Sequence, residues 1–333
     1  MKRVVVIIGL FALVALWAGL VARSSTPAVV IAQQAKPAPT PLALPNLPLA
    51  QLQRDFKTLP FKPGEKLVYE VKFTRFPIAA KVGEVTFEYV GETEPPTGEA
   101  PAEPIFKGLN VEFQPLPTER YFQLRASAIS KGILIAIFGI DVNNRYETLV
   151  NQPDFSARLH FREIQEGKKH QGQGSLFDAG AASVNHKVTD LTKPEAAPKV
   201  KTLPRQPGSL DLLSAFFFVR LQKLKEGELL RFPVSDEGEN YTFNVVVGKK
   251  EKLKTECGKL NTIRLEPKLF GPGQIFSRKG EMTMWLTADK THVPVKLIAK
   301  TSNGTVSARL LNFKANCSIV EPGKEELEPV VEK

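Results

Sequence analysis

The chain has 333 residues, of which 42% are hydrophobic and 24% charged, with a formal charge of +10. These proportions exclude a largely disordered, collagen-like or multi-span membrane protein. The densest basic clusters, Lys249, Lys250, Lys252, Lys254 and Lys199, Lys201, Arg205, are not interleaved with aromatic residues, and no nucleic-acid-binding motif accompanies them, so nucleic acid is not expected as a partner.

At the N-terminus Lys2 and Arg3 precede an unbroken apolar run over residues 4–22, followed by Arg23 and a small polar stretch. A positive start and an apolar run make a secretory signal, and the run is also long enough to span a bilayer. Two readings stay open for residues 1–32: a signal peptide cleaved after Ala22 or Ala32, and an uncleaved signal anchor. Both export the remainder to the periplasm or cell envelope, and only the second leaves a membrane contact, through residues 4–22. Residues 33–55 begin as a Pro/Ala-rich stretch and are read as an extended linker. Residues 56–320 form the exported domain, and residues 321–333 a charged tail.

Within the domain, alternation sets Leu67, Tyr69, Val71 and Phe73 on one face of a strand, and Val85, Phe87 and Tyr89 on one face of the next. A surface loop is expected over 91–104. Strands are expected near 106–113, 120–130, 142–150, 156–164, 183–190, 241–248, 260–266, 281–287, 293–300 and 304–313. Asn303-Gly304 marks a hairpin turn, and Pro294 belongs at a strand start or an edge. Gly172-Gln173-Gly174-Ser175 reads as a turn, and residues 194–207 as a Pro-rich connector.

One helix stands out, apolar nearly all round from Leu212 to Leu221. Ser209 is its expected N-cap, Asp211 the acid of its first turn, and Lys223 and Lys225 the cations of its end. A single buried helix among antiparallel strands predicts a mainly β fold: a curved sheet, or partly open β-barrel, wrapped around it.

Three stretches carry a family resemblance. They are residues 61–69 (FKPGEKLVY), the helix residues 211–220 (DLLSAFFFVR), and the late series 280–286 (GEMTMWL), 293–295 (VPV) and 304–306 (GTV). In order and spacing, over roughly residues 57–315, the chain resembles the bacterial domain-of-unknown-function family 3108 (DUF3108). The resemblance implies an exported, β-rich envelope protein and assigns no activity, so it supplies no catalytic position.

Cys257 and Cys317 are an even pair in an exported chain, which suggests one disulfide; two separate thiols are the alternative. The bridge would close a loop of about 60 residues and add roughly 4 kcal/mol. His160, His170, His186 and His292 show no metal-binding spacing, so neither metal nor cofactor is expected, and no nucleophile–base constellation marks an enzyme. Three consecutive phenylalanines cannot share one helix face. Phe216, Phe217 and Phe218, with Ile135 and Phe138 of the apolar run 133–138, are therefore the candidate walls of a hydrophobic, lipid-like ligand site. A filled core with a structural or protein-interaction role is the alternative.

Overall fold

The computed structural model describes residues 47–54, 56, 59–93, 120–131, 141–193, 195–255, 258–269 and 279–311. Among the described residues are fourteen strands: β1 Glu65–Arg75, β2 Ile78–Thr93, β3 Tyr121–Ser130, β4 Asn143–Asn151, β5 Ala157–Glu166, β6 Lys169–Asp178, β7 Ser183–Asp190, β8 Lys199–Pro204, β9 Leu229–Asp236, β10 Glu239–Thr255, β11 Gly258–Pro267, β12 Gly280–Thr287, β13 Pro294–Thr301 and β14 Gly304–Leu310. All lie in one sheet of order β8-β7-β6-β5-β4-β3-β2-β1-β14-β13-β12-β11-β10-β9.

That order has a simple logic. From β1 the chain runs outward, hairpin by hairpin, to one edge at β8. A helix, α1 (Leu212–Phe218), then carries it to the opposite edge, where β9 starts the return. The last strand, β14, pairs with the first, from Tyr69↔Leu310 to Thr74↔Thr305, and joins the two wings. A helix with no polar face must be enclosed. The two wings enclose it, and the sheet curves without closing.

The alternating pattern behaves as expected. Leu67, Tyr69, Val71 and Phe73 point inward, and Tyr69 and Leu67 face Val85 and Phe87 across the β1–β2 ladder. Thr301 and Gly304 flank the expected turn, and Pro294 opens β13.

Three expectations are corrected. Residues 172–175 lie inside β6, where Phe161 of β5 sits opposite Gly174 and Ser175 opposite His160; neighbouring strands override the low strand preference of glycine. Within the connector read over 194–207, residues 199–204 form edge strand β8, a position that tolerates its terminal Pro204. Gly91, Glu92 and Thr93 belong to β2 rather than to the following loop. Strand β9 had no counterpart among the expected elements. The strand expected near 106–113 lies outside the described residues.

The two edges are treated differently. Edge β9 is covered. Leu229 donates its N–H to the Pro48 carbonyl (2.9 Å) and accepts from the Ala50 N–H (3.0 Å); Leu210 donates to Pro233 (3.1 Å) and accepts from Ser235 (2.8 Å). The end of the segment read as linker thus docks on the sheet. Edge β8 is only six residues long, mostly exposed, and carries Lys199, Lys201 and Pro204, devices that discourage strand addition.

Candidate functional site

The helix α1 carries all three candidate phenylalanines, Phe216, Phe217 and Phe218. Its N-cap is Asp211, not Ser209. The Asp211 Oδ1 accepts from the N–H groups of Leu213 (2.8 Å) and Ser214 (3.2 Å), and the Ser214 Oγ in turn accepts from the Asp211 N–H (2.9 Å), a reciprocal capping box. The Ser209 hydroxyl instead meets that of Ser235 at 3.0 Å. The α-helix ends at Phe218 and a 3-10 turn follows to Leu221, so Lys223 and Lys225 lie beyond the helix they were expected to complement.

All three candidate phenylalanines are buried, each facing different neighbours. Phe216 stacks on Phe87 at 3.9 Å between centroids, and Phe217 meets Phe61 edge-on at 5.4 Å. Phe218 meets Phe232 at 5.2 Å and Phe56 at 6.3 Å, with the Arg54 guanidinium 4.3 Å from its centroid. Just past the helix, the buried Arg220 lies 4.8 Å from the Phe61 centroid and pairs with Glu65 of β1 at 2.6 Å. Ring-on-ring contact therefore surrounds the triplet. Ile135, Phe138, Cys257 and Cys317 lie outside the described residues.

A second feature is a buried polar network at the helix start. His160 Nδ1 and Thr148 Oγ1 are 2.8 Å apart, and Thr148 Oγ1 donates to Asp211 Oδ1 at 3.0 Å. That direction makes the threonine oxygen the acceptor for the histidine and places its proton on Nδ1. Burial holds His160 below its ordinary pKa, against the opposing pull of Asp211, so the ring is neutral. Nearby, Arg162 donates to Gln173 (2.7 Å) and pairs with Asp236 (3.3 Å) and Glu237 (3.1 Å). Burial raises Asp236 above the usual carboxylate range while Arg162 opposes it. His186, 2.8 Å from Ser175 Oγ, is pushed down to about 4, chiefly by burial and then by Arg162. His160, Arg162, His186, Asp211 and Asp236 are all buried, and their polar partners are mainly Thr148, Gln173, Ser175, Ser214 and Glu237, with Arg162 and Asp236 paired directly. They tie the helix start and the β9–β10 turn to β4, β5 and β6. Among the described residues no group of three His, Cys, Asp or Glu is placed to hold a metal ion.

The third feature is a cleft where the sheet splits. Strands β11 and β12 pair only from Thr262↔Thr287 to Leu265↔Met284. Beyond that, β11 stays with β10 as far as Val245↔Pro267, while β12 stays with β13 as far as Gly280↔Thr301. Pro267 has no N–H to extend the β11–β12 ladder. The opening has a volume of about 560 Å³. Leu269, Met282 and Ile298 give it an apolar side. Arg264, Lys268 and Lys300 against Glu266 and Glu281 give a rim with more positive than negative charge. Arg264 reaches its position across Gly248, where an added Cβ would come within 3.0 Å of its Nε. It pairs with Glu266 at 3.1 Å, as does Lys268 at 3.0 Å. At the lower end, the Trp285 indole donates to Glu251 and lies 5.4 Å beneath the Lys296 ammonium. None of these residues was a candidate from sequence; Pro267 was the one local signal, and the split depends on which partner each strand keeps.

The family described as "Protein of unknown function (DUF3108)" matches residues 109–311. The chain belongs to the DUF3108 family. The match takes in β3 to β14 and the helix, and so includes the cleft and the buried network. It leaves β1 and β2 outside, where the resemblance read from sequence begins near residue 57. A crystal structure of a β-barrel-like protein of domain of unknown function DUF1849 from Brucella abortus is similar, with a TM-score of 0.42 and 9% identity, covering 74% of this DUF3108 chain and 95% of that one. No curated protein matches.

Proposed function

We propose that this DUF3108 chain is an exported cell-envelope protein that works by binding, without turnover, and that its ligand sits in the β11–β12 cleft rather than around the helix. The observation that carries this reading is the contrast between the two places. Aromatic rings occupy the surroundings of Phe216, Phe217 and Phe218. The sheet, by contrast, opens between β11 and β12 into a space of about 560 Å³ with an apolar side and a charged rim, the mixture that suits a small-molecule site. The excess of cations on the rim favours an amphiphile with an apolar body and an acidic head. The basic start and apolar run of residues 2–22 support export. Burial of the titratable cluster supports a non-enzymatic role, since His160, Arg162, His186, Asp211 and Asp236 are all shielded from solvent.

The experiment is native mass spectrometry of the full chain extracted from a bacterial envelope, followed by lipid identification. One bound amphiphile is expected, lost in Trp285→Ala and Ile298→Glu and retained in Ile129→Glu, an outward position on β3. A bare protein mass for the parent chain would contradict ligand binding. That outcome would favour the second reading, an envelope interaction module with a filled core, which the packing of the triplet also supports.

A further inference from the structure

The β1–β2 hairpin ends in an apolar point. Residues 76–80 read Phe-Pro-Ile-Ala-Ala, between Arg75 and Lys81. The Phe76 side chain is 97% exposed and Ile78 48%, while Phe73, three residues before the tip, is already in the core. A fully exposed phenylalanine at the end of a regular hairpin gains nothing for folding, because it buries no apolar area there. Past a register shift between Val71 and Lys72, the ladder runs to the very end, Arg75↔Ile78, so the tip is presented on a paired hairpin.

The charge around it has one sign at the point and a shared counter-charge below. Arg75 and Lys81 flank the tip. Lys72 pairs with Glu70 at 3.1 Å; Lys81 also reaches Glu70, and Arg309 of β14 lies 3.7 Å from it. One carboxylate thus serves three cations. No acid lies in sequence between Glu70 and Glu84. Nearby, Lys300 of β13 stands opposite Thr305, which in turn pairs with Thr74, and Lys131, just past β3, pairs with Glu84.

We propose that this hairpin tip docks on an anionic lipid bilayer, Phe76 and Ile78 entering the interface and Arg75 and Lys81 meeting the lipid phosphates. An apolar wedge with flanking cations is the composition that binds such a surface, through buried apolar area and electrostatic attraction together. A bilayer also lies within reach. Retained as an anchor, residues 4–22 would be followed by residues 23–46, which span on the order of 80 Å at full extension. This proposal is independent of the cleft: each survives the failure of the other.

The test uses the full chain with Phe76→Trp, reconstituted in vesicles of three parts phosphatidylcholine to one part phosphatidylglycerol, with the emission of the parent chain subtracted. The control is Val200→Trp, at a position 65% exposed on edge strand β8, seven places from β1 in the sheet. Replacing the phosphatidylcholine with its dibrominated form should quench the Phe76→Trp indole roughly twofold and leave that of Val200→Trp unchanged. Adding Arg75→Glu and Lys81→Glu should abolish the quenching, as should vesicles without phosphatidylglycerol. Absence of quenching at both positions would overturn the proposal and leave the tip to a protein partner. Equal quenching at both would overturn it as well, as contact without orientation. Equal quenching with and without phosphatidylglycerol would overturn the anionic-lipid assignment.

Discussion

Asp211 joins three parts of the molecule through one carboxylate. It caps α1, holds Ser214, and receives Thr148 of β4, which in turn meets His160 of β5. Asp211→Ala removes the cap and strands a buried hydroxyl, so a loss of about 2–4 kcal/mol is expected in urea unfolding. The sequence placed an acid at the helix start, yet Ser209 fits the same cap preference, and only the fold shows that it faces Ser235 instead. His186 gives a pH prediction. Its folded pKa is pushed down to about 4, below the value near 6.5 of an unfolded chain. The stability it contributes is therefore present above pH 6.5 and is lost as pH falls towards 4. Urea unfolding of the parent and His186→Gln at pH 7 and pH 4.5 isolates this group. The parent should lose roughly 1–3 kcal/mol more than the variant on acidification.

At the level of elements, strands with alternating faces were readable and strands defined by their neighbours were not. β1, β2 and β14 announce themselves by an inward apolar row. β6 contains two glycines and few apolar residues, and is a strand because β5 and β7 flank it. The β13–β14 turn was legible because Asn-Gly has few other uses. Its glycine is constrained twice, by φ of +141° and by Phe73, whose ring would lie 2.5 Å from an added Cβ. Gly304→Ala should cost about 1–3 kcal/mol, read as a lower melting temperature. The helix was legible as buried, but the direction in which each ring points was not. With Phe217 packed on Phe61 and Phe216, Phe217→Ala should cost about 3–5 kcal/mol.

At the scale of the molecule, the sheet is two wings joined at β1 and β14, with a helix packed against β3, β4 and β9. Sequence alone predicted the curved sheet around a helix, because an all-apolar helix needs a wrapping. It could not predict the cleft, which arises when β11 and β12 follow different partners past Leu265 and Met284. The edges make a prediction of their own. Pro48 and Ala50 hold the edge of β9, so deleting residues 1–46 should leave a monodisperse protein, whereas deleting 1–53 should expose that edge and promote association, seen by light scattering. The proposed ligand site is the cleft, while aromatic rings fill the space around Phe216, Phe217 and Phe218. Hydrogen–deuterium exchange of the full chain, with and without lysophosphatidylglycerol below its micellar concentration, distinguishes the two places. With the ligand in the cleft, added protection is expected in residues 262–269 and 280–300 and none in residues 212–221. Protection of the helix and of Phe87 in β2, with the cleft strands unchanged, would contradict that placement.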